Sequence, residues 1–261
     1  MNATDMNPKL TPAQQARLDA RNGVAGSTRG AALGYVQCNL VIVRRELAYD
    51  FLLYCQRNQK ACPVLEVCDA GDPEPRRIAP GADLRTDLPR YALYRNGERM
   101  EDRENISDLW DDTLVSFLIG SGITFDEALE RSGVPTHQHR WVVRTSLPTE
   151  AAGPFHGNLV ATMRWLTPEQ ANIATRVTSR FPFNHGAPVH QGDPSAIGAD
   201  LASPLFGDPV PSIPPGLVPV FWACGVTPQA AAETAGIELM ITHAPAHGFV
   251  SDLRADDLMV P

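Results

Sequence analysis

Two stretches of the 261-residue chain concentrate side chains suited to moving protons. HGAPVHQGDP runs from His185 to Pro194, HAPAHGFVSD from His243 to Asp252, and together they hold four of the seven histidines. Each reads His, Ala-Pro, His and then Asp. Imidazole is the side chain whose ordinary pKa, about 6.5, lies closest to working pH, so acid–base catalysis is one reading. Metal ligation is a second. A zinc helix presents histidines at i and i+4, the spacing of His243 and His247, but Pro245 between them breaks a helix. His185 and His190 are separated by Gly186 and Pro188, so no helix presents them either. Loop-borne ligation then requires the two stretches to meet in space. Polar loops with backbone-bonded imidazoles are the third reading.

Chemistry of this kind needs elements that hold it. VPVFWAC (218–224) and ELMITHA (238–244) read as buried strands flanking a short helix, TPQAAAETAG (227–236). His243 and Cys224 therefore fall at strand ends, where α/β sheets bind ligands. After Cys224, Gly225 leads to a helix start at Thr227-Pro228, whose backbone N–H groups from Gly225 to Thr227 suit a carboxylate or a developing oxyanion. Upstream, 11–21 reads as a helix capped by Thr11, 35–43 as a strand with a buried helix as the alternative, and 46–58 as a helix. A short buried strand follows at 63–68, and 90–102 is a hairpin turning at Asn96-Gly97. Residues 108–120 suit a helix, and 124–133 a second one with Thr124 and Glu127 in capping-box spacing and Gly133 as its stop. The run 141–181 reads strand (141–147), strand (158–166) and a helix opened by Thr167, Pro168 and Gln170.

This alternation predicts an α/β fold, with a mixed or mainly parallel β-sheet flanked by helices and a smaller two-layer α+β subdomain. Residues 1–133 and 196–261 are expected to form the main domain and 134–195 the smaller one. The prolines and glycines concentrated at 71–81 and 182–219 read as ordered loops, because apolar and aromatic residues are interleaved with them.

Composition narrows the function classes. Apolar and charged fractions of 43% and 20% are those of an ordinary globular protein. A net charge of −8, without a Lys/Arg cluster, argues against a nucleic-acid partner. No apolar run approaches the roughly 18–20 residues that span a bilayer, so no membrane partner is expected. The polar start MNATDMNPKLTPAQQ lacks the features of a secretory signal. Five cysteines, at 38, 55, 62, 68 and 224, are an odd number without zinc-knuckle spacing, and read as reduced cytoplasmic thiols. No G-x-G-x-x-G or P-loop occurs, and only Lys9 and Lys60 could form a Schiff base, so no organic cofactor is implied. The pattern leaves room for a homo-oligomer.

Six stretches read together carry a resemblance: GSTRGAALGYVQCNLVIV (26–43), FLLYCQRNQKACPVLEV (51–67), GDPEPRRIAPGADLRTDLPRY (71–91), TSRFPFNHGAPVHQGDP (178–194), FWACGVTPQAA (221–231) and ITHAPAHGFVSDLR (241–254). In this order they resemble the hydro-lyase family that includes mitochondrial D-glutamate cyclase, across nearly the whole chain. The resemblance implies an α/β fold with a larger and a smaller subdomain, and dehydration of a small amino or hydroxy carboxylic acid, as in D-glutamate to 5-oxo-D-proline. This chain departs from the family pattern between 120 and 150. Ser121 stands where the family has Cys, Gly122 where it has Ser and Asp126 where it has Glu. THQHRWVVRTS (136–146) is a shorter replacement segment, and Ser146 and Thr149 replace an Asn and a Cys. The substrate motif is therefore altered.

Lactam formation requires a held carboxylate, a deprotonated amine and a stabilised departing oxygen. Arg29, Arg57 and Arg85, all in the retained stretches, are the candidates for a carboxylate fork. Proton transfer suits His243 or His190, with Asp252 or Asp193 orienting the imidazole. Of the histidines, His243 is expected to carry the proton because it follows a buried strand, and His185 to be structural because Gly186 and Pro188 tighten its loop. Cys224, Gly225 and Thr227 are placed for the oxyanion, and Ser121 precedes a helix that turns it toward the pocket. The two histidine stretches are expected to meet at one rim, beside Cys224. Alternatives are a metal-dependent hydrolase of a cyclic amide using His185, His190, His243 and His247, and a non-catalytic binder of small carboxylates.

Overall fold

A computed structural model describes residues 9–24, 26–136, 140–206 and 208–261. His137, Gln138 and His139 of the shortened segment, and residues 1–8 of the polar start, lie outside them. The fold is α/β, with two sheets whose strand pairings are antiparallel throughout the described residues. Among the described residues no strand pair runs parallel, because neighbours in each sheet are joined by hairpins or reached by chain that returns from the opposite end.

The chain opens with α1 (Pro12–Arg21), capped by Thr11 in a reciprocal box with Gln14. β1 (Tyr35–Arg44) follows, then α2 (Arg45–Arg57) and β2 (Val64–Val67). β3 (Tyr91–Arg95) and β4 (Glu98–Arg103) form the expected hairpin, with Asn96 and Gly97 both at positive φ as a primed two-residue turn requires. β5 (Leu114–Gly120) occupies most of the segment whose composition suggested a helix. Its run LVSFLIG is buried at every position. A continuous apolar run fits a central strand covered on both faces as well as it fits a buried helix, and pairing with β1 and β2 decides the case.

Beyond β5, a 3-10 turn (Gly122–Phe125) leads into α3 (Asp126–Arg131). Thr124 does not cap α3. Its hydroxyl instead accepts from the Gln37 N–H and from Asn184 Nδ2, each at 3.1 Å. Ser121 supplies the local cap, accepting from the Ile123 N–H. The remaining elements are β6 (Trp141–Pro148), β7 (Asn158–Leu166), α4 (Pro168–Ser179), β8 (His190–Gln191), β9 (Val218–Ala223), α5 (Thr227–Ala235), β10 (Leu239–His243) and β11 (Phe249–Arg254). α4 opens on the expected Thr167–Gln170 box.

The larger sheet has the order β2-β5-β1-β10-β3-β4, with β11 also paired to β1. The smaller sheet has the order β6-β7-β9-β8 and takes β9 from beyond residue 195. β1 is the axis of the molecule. Val36, Cys38, Leu40 and Ile42 pack into one core cluster, and Val41 and Val43 into another on the opposite face, as period-two alternation dictates. Along its other edge β1 changes partner. Val41 pairs with Thr242 of β10, whereas Cys38 pairs with Phe249 of β11. β10 and β11 are thus two segments of one line, and residues 244–248 leave it as a bulge. That bulge is the middle of the second histidine stretch, between His243 at the end of β10 and the start of β11.

Candidate active site

A cavity of about 410 Å³ lies between the two sheets. The larger sheet contributes Asn39 from β1, His243 from the end of β10 and Ser121 just past the end of β5. The smaller sheet contributes Thr162 and Arg164 from β7 and Cys224 from the end of β9. Two glycines let these parts approach. A Cβ on Gly120 would stand 1.8 Å from the Phe183 carbonyl oxygen, so β5 and the turn carrying His185 touch backbone to backbone. A Cβ on Gly225 would stand 1.9 Å from Asn39 Nδ2.

The strongest feature is an arginine cluster around one carboxylate. Asp126 accepts from Arg140 Nη2 at 2.5 Å and from Arg164 Nη2 at 2.6 Å, and Arg29 Nε stands 3.7 Å away. All three arginines line the cavity. Three guanidiniums against one carboxylate leave two positive charges, tempered on the far side of Arg29 by Glu130. Arg164 is buried and lies over the Trp222 ring at 5.7 Å. Burial, followed by repulsion from Arg140, lowers its pKa to about 10, and burial also lowers that of Arg29. Arg164 Nε and Nη1 and Arg140 Nε are buried without a hydrogen-bond partner among the described residues. Buried donors left in this state call for an acceptor, and guanidiniums in a row call for a planar anion.

The two histidine stretches do meet here, each through its first histidine. His185 and His243 both line the cavity, and both are buried. Burial pushes each imidazole down to about 4, so both are neutral near pH 7. His185 Nδ1 is 3.0 Å from the Lys60 carbonyl oxygen, and His243 Nδ1 accepts from the Leu40 N–H at 3.2 Å. Cys224 stands beside Thr162, with burial raising its thiol pKa, so it is a protonated thiol and a weak donor. Ser121, Arg29 and Gly225 also line the cavity, as the sequence led us to expect.

Other expected residues are elsewhere and already engaged. His190 does not face the cavity. Its Nε2 meets the Asp193 carbonyl oxygen at 2.8 Å, while the Asp193 carboxylate caps a short turn through Ser195. Asp252 does not orient His243, because Arg17 Nη2 binds both of its oxygens at 2.9 and 3.1 Å, tying α1 to β11. Arg57 reaches the Ala151 carbonyl and pairs with Glu150. Arg85 forks onto Asp83 at 2.9 and 2.7 Å. Thr227 is fully buried, and its hydroxyl accepts from the Val160 N–H at 3.0 Å. Its own N–H already bonds the Cys224 carbonyl, so it is part of the joint between α5 and β7. His247 turns back onto the Pro245 carbonyl at 2.7 Å. Thus only two of the four histidines reach one place. Among the described residues, no group of three or more His, Cys, Asp or Glu is placed to hold a metal ion.

Arg140, Arg164 and Asp126 were not among the expected site residues. One signal was available: Arg164 sits in the apolar strand NLVATMRWL, where a lone charge at a core position needs a partner. No helix among the described residues is long and apolar enough to cross a membrane.

Comparison with known proteins shows the family. The family profile described as D-glutamate cyclase matches residues 115–252, which include Ser121, Asp126, Arg140, Arg164, His185, Cys224 and His243. A "Putative hydro-lyase" from Stutzerimonas stutzeri (strain A1501) is 51% identical over 257 residues, covering 96% of this chain and 97% of that protein. A Geobacillus kaustophilus (strain HTA426) protein of the same description is 51% identical over 239 residues, covering 89% and 90%. A third, from Bacillus subtilis (strain 168), is 46% identical over 257 residues, covering 96% of this chain and all of its own.

Proposed function

This chain belongs to the D-glutamate cyclase family of hydro-lyases, and from that premise we propose that it removes water from a small amino or hydroxy carboxylic acid bound between the two sheets. The observation that carries this reading is the cluster of Arg140, Arg164 and Arg29 on the cavity wall around the single carboxylate of Asp126. In a low-dielectric cavity Arg140 and Arg164 would hold one carboxylate of the substrate, with Arg29 at the rim. The reacting end would then lie against His185, His243 and Cys224, which line the same space. Conversion of D-glutamate to 5-oxo-D-proline is the first reaction to examine. The changes at Ser121, Gly122 and Asp126 make a related acid an equal candidate. No organic cofactor is needed for such a step. We place the reaction in the cytoplasm, a setting that suits the five unpaired cysteines.

The direct experiment incubates the pure protein with D-glutamate and a panel of short amino and hydroxy acids, and follows loss of one water by mass spectrometry. Dehydration of at least one acid is expected, abolished by Arg164→Leu and kept in Arg85→Leu. Binding without turnover would leave only a carboxylate binder, a reading that the altered 121–126 segment also fits. Neither binding nor turnover would remove the proposal altogether.

A further inference from the structure

We infer that His185, through a bare Nε2, is the base of this cavity, and that His243, through a protonated Nε2, is a fixed hydrogen-bond donor that never gives up its proton. The assignment rests on the reading of the cavity as the reacting site, and it exchanges the roles that strand position alone suggested.

The backbone decides the tautomers. At His243, Nδ1 faces two groups of Leu40: its N–H at 3.2 Å, which can only meet a lone pair, and its carbonyl oxygen at 3.5 Å, at the outer limit of hydrogen bonding, so the nearer N–H decides. Leu40 sits where β1 passes from β11 to β10, so the imidazole satisfies an N–H that the interrupted ladder leaves over. A neutral ring with a bare Nδ1 carries its proton on Nε2. At His185 the nearest partner of Nδ1 is a carbonyl oxygen, that of Lys60 at 3.0 Å, and a carbonyl can only accept. The proton is therefore on Nδ1 and Nε2 is bare. One cavity thus holds two neutral imidazoles of opposite tautomer.

These tautomers set what each ring can do. His243 could act as a base only by breaking the bond from Leu40. Losing its proton would make an imidazolate, which is out of reach near neutral pH. It can still donate to an oxygen on which charge develops. His185 has a free lone pair. In the dehydration, a C–H or N–H bond of the substrate breaks and its proton goes to His185 Nε2. The electron pair forms the new bond to carbon, and the C–O bond breaks with its pair on the departing oxygen. The departing oxygen already carries one hydrogen, as an alcohol hydroxyl or as the protonated carboxyl attacked by a neutral amine, so the one proton returned from His185 completes water and both rings end as they began. The imidazolium formed on the way faces Lys60 and shares the cavity with Arg29, Arg140 and Arg164. It is tolerable only while a substrate carboxylate and Asp126 offset those charges, which couples proton removal to carboxylate binding.

Backbone conformation points to the same two places. Among the described residues, three other than glycine have positive φ: Asn96, His185 at 76° and Ala246 at 66°. Asn96 serves the β3–β4 turn. The other two line the cavity, one carrying the base and one in the bulge after His243. Left-handed conformations are held at a cost in residues with a Cβ, and they collect at functional sites.

Long-range ¹H–¹⁵N correlation on the whole protein, labelled at histidine and recorded near pH 7, reads the tautomers without any substrate. His185→Asn and His243→Gln assign the two rings. His185 protonated on Nδ1 and His243 on Nε2 is the expected result. The same tautomer at both, the reverse pair, or an imidazolium at either overturns the inference, whatever the turnover experiment finds. With an acid that the protein dehydrates, His185→Asn keeps a donor to the Lys60 carbonyl but no base. It should lose about 10²–10⁴-fold in kcat with KM little changed. His243→Gln keeps an N–H near the Nε2 position and should retain far more activity than His243→Leu, which loses about 10²–10³-fold. A His243→Gln enzyme as inactive as His185→Asn would return the base to His243.

Discussion

Asp126 shows how much one side chain carries. It is the carboxylate between Arg140 and Arg164, and the latter is buried with two further nitrogens unpartnered. Asp126→Asn removes the charge and keeps the shape, leaving a buried guanidinium uncompensated. The expected loss is about 3–5 kcal/mol of folding stability, the usual cost of breaking one side of a buried pair. A small dicarboxylate such as malonate should restore more stability to this variant than it adds to the parent, and urea denaturation with and without malonate measures both effects. Equal response in the two proteins would mean that the cluster does not receive anions. At this scale the sequence was informative where a residue's position on an element implied its direction. His243 and Cys224 end strands, and Gly225 precedes a helix, so their place at the cavity could be read. Arg57 and Arg85 could not be told from Arg29. An arginine's role depends on which carboxylate stands beside it in space, and Glu150 and Asp83 take those two.

Among the elements, the end of β5 and the turn after α4 set the position of His185. Gly120 lies against the Phe183 carbonyl so closely that a Cβ would stand 1.8 Å from that oxygen. Gly120→Ala should therefore push the two backbones apart. It is expected to cost about 1–3 kcal/mol or more and to lower turnover by moving His185. Gly26→Ala is the control, because nothing lies within 4 Å of a Cβ there and both stability and turnover should stay as they are. Thermal denaturation paired with the turnover assay checks both. Helices whose ends are written in side-chain chemistry, such as Thr11 to α1 and Thr167 to α4, were legible in detail. β5 was not, because an unbroken apolar run has no periodicity to separate strand from helix. β8 and β11 were missed for another reason. β8 is two residues long, and β11 continues the line of β10 after a five-residue bulge (244–248), an arrangement that only pairing with β1 reveals.

For the whole molecule, placing a cavity between two sheets has a consequence for acid stability. His185 and His243 hold pKa values of about 4 in the fold because burial disfavours their charged forms. In the unfolded chain they would take up protons near pH 6.5. Between these values the unfolded state binds more protons, so stability is lost as pH falls from about 6.5 toward about 4. By pH 5 the loss should be about 2 kcal/mol for each ring. Denaturation midpoints compared at pH 7 and pH 5 test this, and His185→Asn should flatten the dependence by about half. An unchanged slope in that variant would show that His185 is not buried neutral. The α/β class and nearly every helix were readable from the chain, but strand direction and the pairing of β9 with β7 were not, since both depend on contacts far apart in sequence. In the proposed function the arginine cluster holds a substrate carboxylate while the two imidazoles face the end that loses water. A crystal structure soaked with the acid that the panel identifies, or with D-glutamate if none turns over, tests it most directly. The expected result is a carboxylate against the guanidiniums of Arg29, Arg140 and Arg164, with the reacting carbon between His185 Nε2 and His243 Nε2. An acid bound away from those three arginines would overturn the proposed function.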